Sequence, residues 1–150
     1  LQVRPYVPAV LRGVQWVAFG SGPFNTAVAL YANVTKLPAY FDTPLRVSTE
    51  SFYWTDRLVA ALADPEYFDN MEAISGYQQE TLAAGYASLS ATDKLISADA
   101  SMDDEAAIKT LEAANAKLVD LVKAGNDKLL GSVLFERSLK MQNAFGASDH

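Results

Sequence analysis

The stretch from Gly13 to Val34, GVQWVAFGSGPFNTAVALYANV, decides the fold. It consists of two apolar runs joined by Gly20-Ser21-Gly22-Pro23, the pattern of a β-hairpin with a four-residue loop. Alternation with period two puts Val14, Trp16 and Ala18 on one side of the first strand and Gln15, Val17 and Phe19 on the other. In the second strand Ala27, Ala29 and Tyr31 oppose Thr26, Val28, Leu30 and Ala32. Neither strand has a polar face, so the hairpin is expected to be covered on both sides, unlike an antiparallel sheet with one face in water. The helical pattern downstream can cover one face, and nothing in the sequence marks a cover for the second.

Upstream, Leu1 to Arg4 alternates like a short strand closed by Pro5, which has no N–H for a ladder bond. The chain starts inside this element and without methionine, as a piece of a longer protein would. Downstream, Thr35 to Val47 holds Pro38 and Pro44 among Tyr40, Phe41 and Leu45, an ordered loop expected near the mouth of any site. The hydrophobic period then changes from two to about 3.6. Ser48 or Thr49 is the expected cap of a helix whose stripe is Phe52, Leu58, Val59 and Leu62, running to Ala63. Asp64-Pro65 ends it and starts the next. That second helix carries Tyr67, Met71, Ile74, Leu82, Leu89 and Ile96, and passes Gly76 and Gly85. Each glycine costs about 1 kcal/mol in a helix interior, so a bend or a close contact is expected there. After a turn over residues 97–102, Asp103, Asp104 and Glu105 mark the start of a third helix by complementing its dipole. Its stripe is Ile108, Leu111, Leu118, Val122, Leu129, Val133 and Leu139, with Gly125-Asn126 a kink or a break. The predicted fold class is α+β in one region, 1–150: a short strand and a hairpin within 1–34, then long antiparallel helices over about 49–146, with a fraying end from Phe145 to His150.

The chain has 150 residues, 50% of them hydrophobic, enough for one domain with a real core. Its net charge of −6 and the lack of a Lys/Arg cluster exclude a nucleic-acid surface. There is no apolar run of about 18 residues, so no membrane span is expected, and a soluble, cytoplasmic chain follows. With no cysteine there is neither a disulfide nor a thiolate, and no pattern implies a cofactor or a metal. The only histidine is the terminal His150, so Ser21 reads as a turn residue, since a Ser-His-Asp arrangement needs an imidazole held by the fold. Gly20-Ser21-Gly22 is followed by Asn25 and a strand, which excludes a dinucleotide fingerprint. Three residues remain as candidates. Arg12, between Val10-Leu11 and the first hairpin strand, is placed to fork onto a carboxylate or simply to cap the strand at the surface. Asn25 and Asn33 flank the second strand, where an amide can donate to an oxyanion or satisfy turn backbone.

Gln2-Val3-Arg4-Pro5, then Trp16, Ser21-Gly22-Pro23-Phe24 and Leu30-Tyr31-Ala32-Asn33-Val34 together resemble the C-terminal part of dipeptidase A and the secernin-like cysteine dipeptidases. Ser51-Phe52-Tyr53-Trp54-Thr55-Asp56-Arg57-Leu58 is similar to the helix that follows in bacterial members, so the resemblance covers residues 1 to about 64. It implies the C-terminal part of a four-layer αββα N-terminal-nucleophile hydrolase, in which a cysteine at the mature N-terminus is nucleophile and its own α-amino group is base. That cysteine is absent here, so the resemblance implies an enzyme whose missing upstream region is a partner of this chain, whose substrates are dipeptides, and whose present segment alone is inactive. Related bile-salt amide hydrolases carry a catalytic arginine just before an equivalent strand, which makes Arg12 a candidate for that role, although other dipeptidases of the family have glycine there. A hairpin face left bare by the missing region implies self-association through the sheet. The competing reading is an autonomous α+β binding module that uses its helix pair as the interaction surface.

Overall fold

The computed structural model describes residues 1–20 and 22–142, which form a small sheet and three α-helices. Strands β1 (Gln2–Val3), β2 (Gly13–Val17) and β3 (Val28–Tyr31) make an antiparallel sheet in the order β1-β2-β3. The register pairs Val14 with Tyr31 and Trp16 with Ala29, so these four share one face, while Gln15, Val17, Val28 and Leu30 share the other. This is the facing that the alternation predicts. The connection is not: the ladder ends at Val17 and Val28, leaving ten residues between the strands instead of four. Phe24 and Thr26 leave the sheet to be buried, and the Gln78 side chain holds the carbonyls of Pro23 and Asn25 at 2.6 and 2.7 Å, so contacts with helices override the local hairpin pattern.

The helices follow as α1 (Phe52–Ala63), α2 (Tyr67–Ala98) and α3 (Asp104–Leu139). The first is preceded by Ser51 rather than capped by Ser48 or Thr49. The Ser51 hydroxyl donates to the Asp42 carbonyl at 2.8 Å and ties the loop to the helix start. Asp64-Pro65-Glu66 forms the tight turn between α1 and α2, as expected. The start of α3 is capped by Asp103, whose carboxylate accepts from the Ala106 N–H at 2.8 Å. At 1.5 Å per residue, the 32 residues of α2 and the 36 of α3 give rods of about 48 and 54 Å. They pack antiparallel: Ile96 and Leu89 cluster with Ala107 and Leu111, whereas Ile74 and Tyr77 meet Leu129 and Val133 near the other end.

Both glycine expectations resolve within unbroken helices. At Gly85, α2 comes so close to β3 that an added Cβ would lie 3.6 Å from the Ala29 Cβ, whereas Gly76 has open space beside it. Gly125-Asn126 does not break α3 into two elements. Gly125 lies under the Tyr77 ring, 3.2 Å from where a Cβ would be, and Asn126 is fully buried.

Strand β3 is buried along its whole length, which agrees with cover on both faces. One face packs on Leu89, Ile96, Ala107 and Leu111, the other on Tyr40, Phe52, Leu118, Val119 and Val122. The second cover, which the sequence did not mark, therefore comes from the aromatic loop, α1 and the middle of α3. Strand β2 is covered less completely, with Gln15 exposed and Trp16 and Val17 half-buried. Phe52 anchors this second layer against Phe19, Tyr40 and Phe41, at ring separations of 5.3 to 5.8 Å. Truncating a fully buried phenylalanine to alanine costs about 3–5 kcal/mol, so Phe52→Ala should weaken the hold of α1 on the sheet. Among the described residues, no helix is long and apolar enough to cross a membrane. Phe145 to His150 lie outside the described residues.

Candidate functional site

Arg12 ends a tight turn over Ala9–Leu11 and is exposed, with its Nε donating to the Val7 carbonyl at 3.3 Å and no carboxylate in an ion pair with it among the described residues. Asn33 is exposed just beyond β3. It shares one end of the hairpin with Arg12, where the Ala32 N–H donates to the Gly13 carbonyl at 2.9 Å. Asn25 is half-buried at the opposite end, where its backbone carbonyl accepts from Gln78. The three candidates are thus not gathered into one site.

A buried arginine that does engage a carboxylate is Arg4, eight residues earlier. Buried beside β2, it donates from Nη1 to Asp93 Oδ2 at 2.6 Å and from Nη2 to Asp93 Oδ1 at 3.1 Å, and also from Nη2 to the Leu11 carbonyl. The Tyr31 hydroxyl donates to the same Asp93 Oδ1 at 2.7 Å, and the guanidinium carbon sits 5.6 Å from the centre of the Tyr31 ring. A bidentate fork of this kind fixes geometry as well as charge. It ties the end of the first strand, the end of β3 and the C-terminal part of α2 into one unit. Burial, reinforced by the Asp93 carboxylate, pushes the Tyr31 hydroxyl well above the usual phenol range.

A second buried polar group lies under the β2–β3 connection. Asp56 on α1 accepts from Asn126 Nδ2 at 2.9 Å, and the same amide nitrogen lies 3.2 Å from the Tyr40 hydroxyl. Burial raises the Asp56 carboxyl to about 8, and the Asn126 hydrogen bond offsets only part of that rise. Burial also raises Tyr77, with Asp56 and Tyr40 adding to the shift, which places Tyr77 near the same cluster. Asp56 Oδ2, Asn126 Oδ1 and the Tyr77 hydroxyl have no hydrogen-bond partner among the described residues. Gly20, at φ +84°, crosses directly above: a Cβ there would stand 3.1 Å from the Asp56 Cβ, so only glycine fits this conformation and this approach. Chemically the cluster is a carboxyl held largely neutral near pH 7 and able to donate a hydrogen bond, and among the described residues no histidine stands beside it.

For the Asp56 cluster a signal was present in the sequence. Phe52, Asp56, Val59, Ala60 and Ala63 form the buried stripe of α1, and Leu111, Asn115, Leu118, Val122, Asn126, Leu129 and Val133 that of α3. A carboxylate or amide standing in an apolar stripe marks a buried polar partner, because an unpaired one is costly.

An antiparallel sheet with two long helices packed together over it is a mixed α+β arrangement consistent with part of an αββα sandwich. The model of peptidase family C69 matches residues 1–80, more than half of the chain, and the chain belongs to that family. It is 41% identical over 150 residues to a probable dipeptidase A of Streptococcus pyogenes, covering 99% of this chain and 30% of that protein. It is 36% identical to a dipeptidase of Bifidobacterium longum, with 99% of this chain and 35% of that protein aligned. Against dipeptidase A of Lactobacillus helveticus the identity is 33%, with coverage of 91% and 28%. The chain therefore spans about a third of the length of these curated relatives.

Proposed function

We propose that this chain is the C-terminal part of a cytoplasmic bacterial cysteine dipeptidase with the four-layer αββα architecture of N-terminal-nucleophile hydrolases. The observation that carries this reading is 41% identity to a probable dipeptidase A over 99% of a chain that contains no cysteine. In the whole protein, a cysteine at the start of the upstream region attacks the peptide carbonyl while its α-amino group takes the thiol proton. The leaving amine collects that proton, and water then cleaves the thioester to release the second product. The present segment supplies sheet strands, a helix layer and pocket residues. Arg12, exposed and held by a single bond, remains the candidate for the catalytic arginine, and Asn25 and Asn33 remain candidates as amide donors at the two ends of β3.

The test is turnover of dipeptides by the 150-residue chain and by the same chain with its upstream region restored. The chain alone should be inactive, because losing a nucleophile removes a factor on the order of 10⁶ in turnover. The restored protein should hydrolyse dipeptides and lose that activity on Cys→Ala at its mature N-terminus. Activity of the chain alone overturns the cysteine mechanism. A folded but inactive restored protein overturns the dipeptidase reading. Self-association of the isolated chain through the sheet belongs to the same proposal, since β1 pairs with only Gly13 and Val14 and leaves the rest of the β2 edge unpaired by strand. Sedimentation velocity showing a clean monomer at high concentration refutes it. The alternative of an autonomous binding module rests on the exposed Leu82, Tyr86, Leu121, Leu134 and Phe135 of α2 and α3.

A further inference from the structure

Between α1 and the segment Gly22–Phe24 lies an open groove of about 370 Å³, lined by Gly22, Pro23, Phe24, Arg57, Ala60, Ala61, Asp64 and Pro65. Its volume falls at the small end of ligand sites, which run from about 300 to 1,000 Å³. The floor is one stripe of α1 and the residue that caps it: Arg57, Ala60, Ala61 and Asp64 follow at three, four and seven residues from Arg57, so a cation and an anion stand two helix turns apart with only methyl groups between them. The wall is anchored. Phe24 is buried against Tyr67 with ring centres 5.7 Å apart, and Gln78 holds the Pro23 and Asn25 carbonyls from behind. Neither charge is paired with an opposite one: among the described residues no ion pair includes Arg57 or Asp64, and Arg57 is held only by Tyr53, through a long 3.3 Å contact to its hydroxyl and with the guanidinium carbon 5.6 Å from its ring centre.

We propose that this groove binds a free dipeptide as a zwitterion, with Arg57 holding its carboxylate and Asp64 its ammonium group. The inference rests on the dipeptidase reading for its ligand class, and on dimensions for its fit. Two extended residues span about 7 Å. A hydrogen bond of about 2.8 Å at each end raises the charge separation required to roughly 12–13 Å. Two turns of helix give about 10.5 Å between the two backbone positions, and the Arg57 side chain leans back toward Tyr53, one turn further from Asp64. A single amino acid is too short to reach both charges, and a longer peptide that reaches Arg57 places its ammonium beyond Asp64. The two alanines leave the middle of the floor open for the ligand backbone.

The test is a titration of the isotope-labelled 150-residue chain with alanyl-alanine, its N-acetyl derivative, its C-terminal amide and free alanine, followed by backbone amide shifts. Saturable shifts at Gly22, Arg57, Ala61 and Asp64 are expected with alanyl-alanine, and affinities at least about tenfold weaker with the other three, the scale of one charge-assisted hydrogen bond. Arg57→Met and Asp64→Asn should each weaken binding to a similar extent, Arg57→Lys should restore part of it, and Ala61→Trp should block it with both charges in place. In the protein restored with its upstream region, Arg57→Met should raise KM with kcat retained. Equal binding of the amide or the N-acetyl derivative, or no saturable shift, overturns the proposal. A restored protein that hydrolyses dipeptides with KM indifferent to Arg57 and Asp64 overturns it while leaving the dipeptidase reading intact. Charge-selective binding by a chain whose restored protein is inactive does the reverse.

Discussion

Asn115 holds Tyr31 by both of its backbone polar groups: the side-chain Oδ1 accepts from the Tyr31 N–H at 2.9 Å and Nδ2 donates to the Tyr31 carbonyl at 3.0 Å. In a sheet ordered β1-β2-β3, these groups point away from β2, at an edge that would otherwise be an open template for another strand. One amide on α3 imitates the missing strand. Leu111 reaches one face of the sheet and Leu118 the other, so α3 closes the edge and contributes to both layers of the core.

Asn115→Leu is therefore expected to destabilise the chain by about 2–6 kcal/mol, since two buried backbone groups lose their side-chain partner and each costs about 1–3 kcal/mol. Asn115→Asp should be of similar severity, because it still accepts from the N–H but sets a carboxylate against the carbonyl oxygen. Urea denaturation measures both, and an unchanged midpoint for Asn115→Leu would show that water replaces the amide.

Asp56 gives stability a pH slope whose sign can be worked out. The folded-state carboxyl, raised to about 8 from 3.8, keeps a proton that the unfolded chain releases. Its contribution is complete below pH about 4 and is lost as pH rises toward 8, with no further slope from this group above that. The loss is on the order of a few kcal/mol. Asp56→Asn keeps the shape and the acceptor for Asn126, and should flatten the slope between pH 5 and 8. Parallel slopes for the two proteins in urea unfolding would refute a buried neutral carboxyl.

Arg4 and Asp93 should behave as a coupled pair. Removing either one strands the other, and because Asp93 is partly exposed the cost should be about 2–3 kcal/mol, below the range for fully buried pairs. In a double-mutant cycle with Arg4→Met and Asp93→Leu, a coupling energy of about 1–3 kcal/mol is expected. Additive effects would make the fork a bystander.

The glycines of α2 and α3 should respond in opposite ways to alanine. Gly76 has open space beside it, so Gly76→Ala should stabilise by roughly 0.5–1 kcal/mol through helix propensity alone. Gly125→Ala drives a methyl group against the Tyr77 ring at 3.2 Å, and overpacking of about 1–3 kcal/mol outweighs the same propensity gain. Thermal melting of the two variants separates these effects, and a rise in Tm for Gly125→Ala would mean that the ring yields freely.

The change of hydrophobic period near residue 49 was enough to separate strands from helices, and alternation was enough to assign the faces of β2 and β3. What stayed illegible depends on partners far along the chain. The ten-residue connection exists because Gln78 grips Pro23 and Asn25 from more than 50 positions away, which a local Gly-Ser-Gly-Pro pattern cannot reveal. Gly125-Asn126 reads as a breaker until Asp56 is placed opposite Asn126. Arg12 drew notice by its position before a strand, but Arg4 holds the carboxylate, because only the fold brings Asp93 within reach of the first strand. The groove residues Arg57 on α1 and Asp64 at its cap stand seven apart, a spacing visible in the sequence, but the wall that turns them into a groove comes from the β2–β3 connection.

The Asn115 bridge to Tyr31 also sets a clock for synthesis. The two residues are 84 positions apart, and at about 5–20 residues per second the ribosome takes roughly 4 to 17 s to travel from one to the other. For an interval of that length the strand edge stands outside the ribosome before its closing amide follows, which is the window in which a nascent chain is most exposed to pairing with a neighbour on the same message.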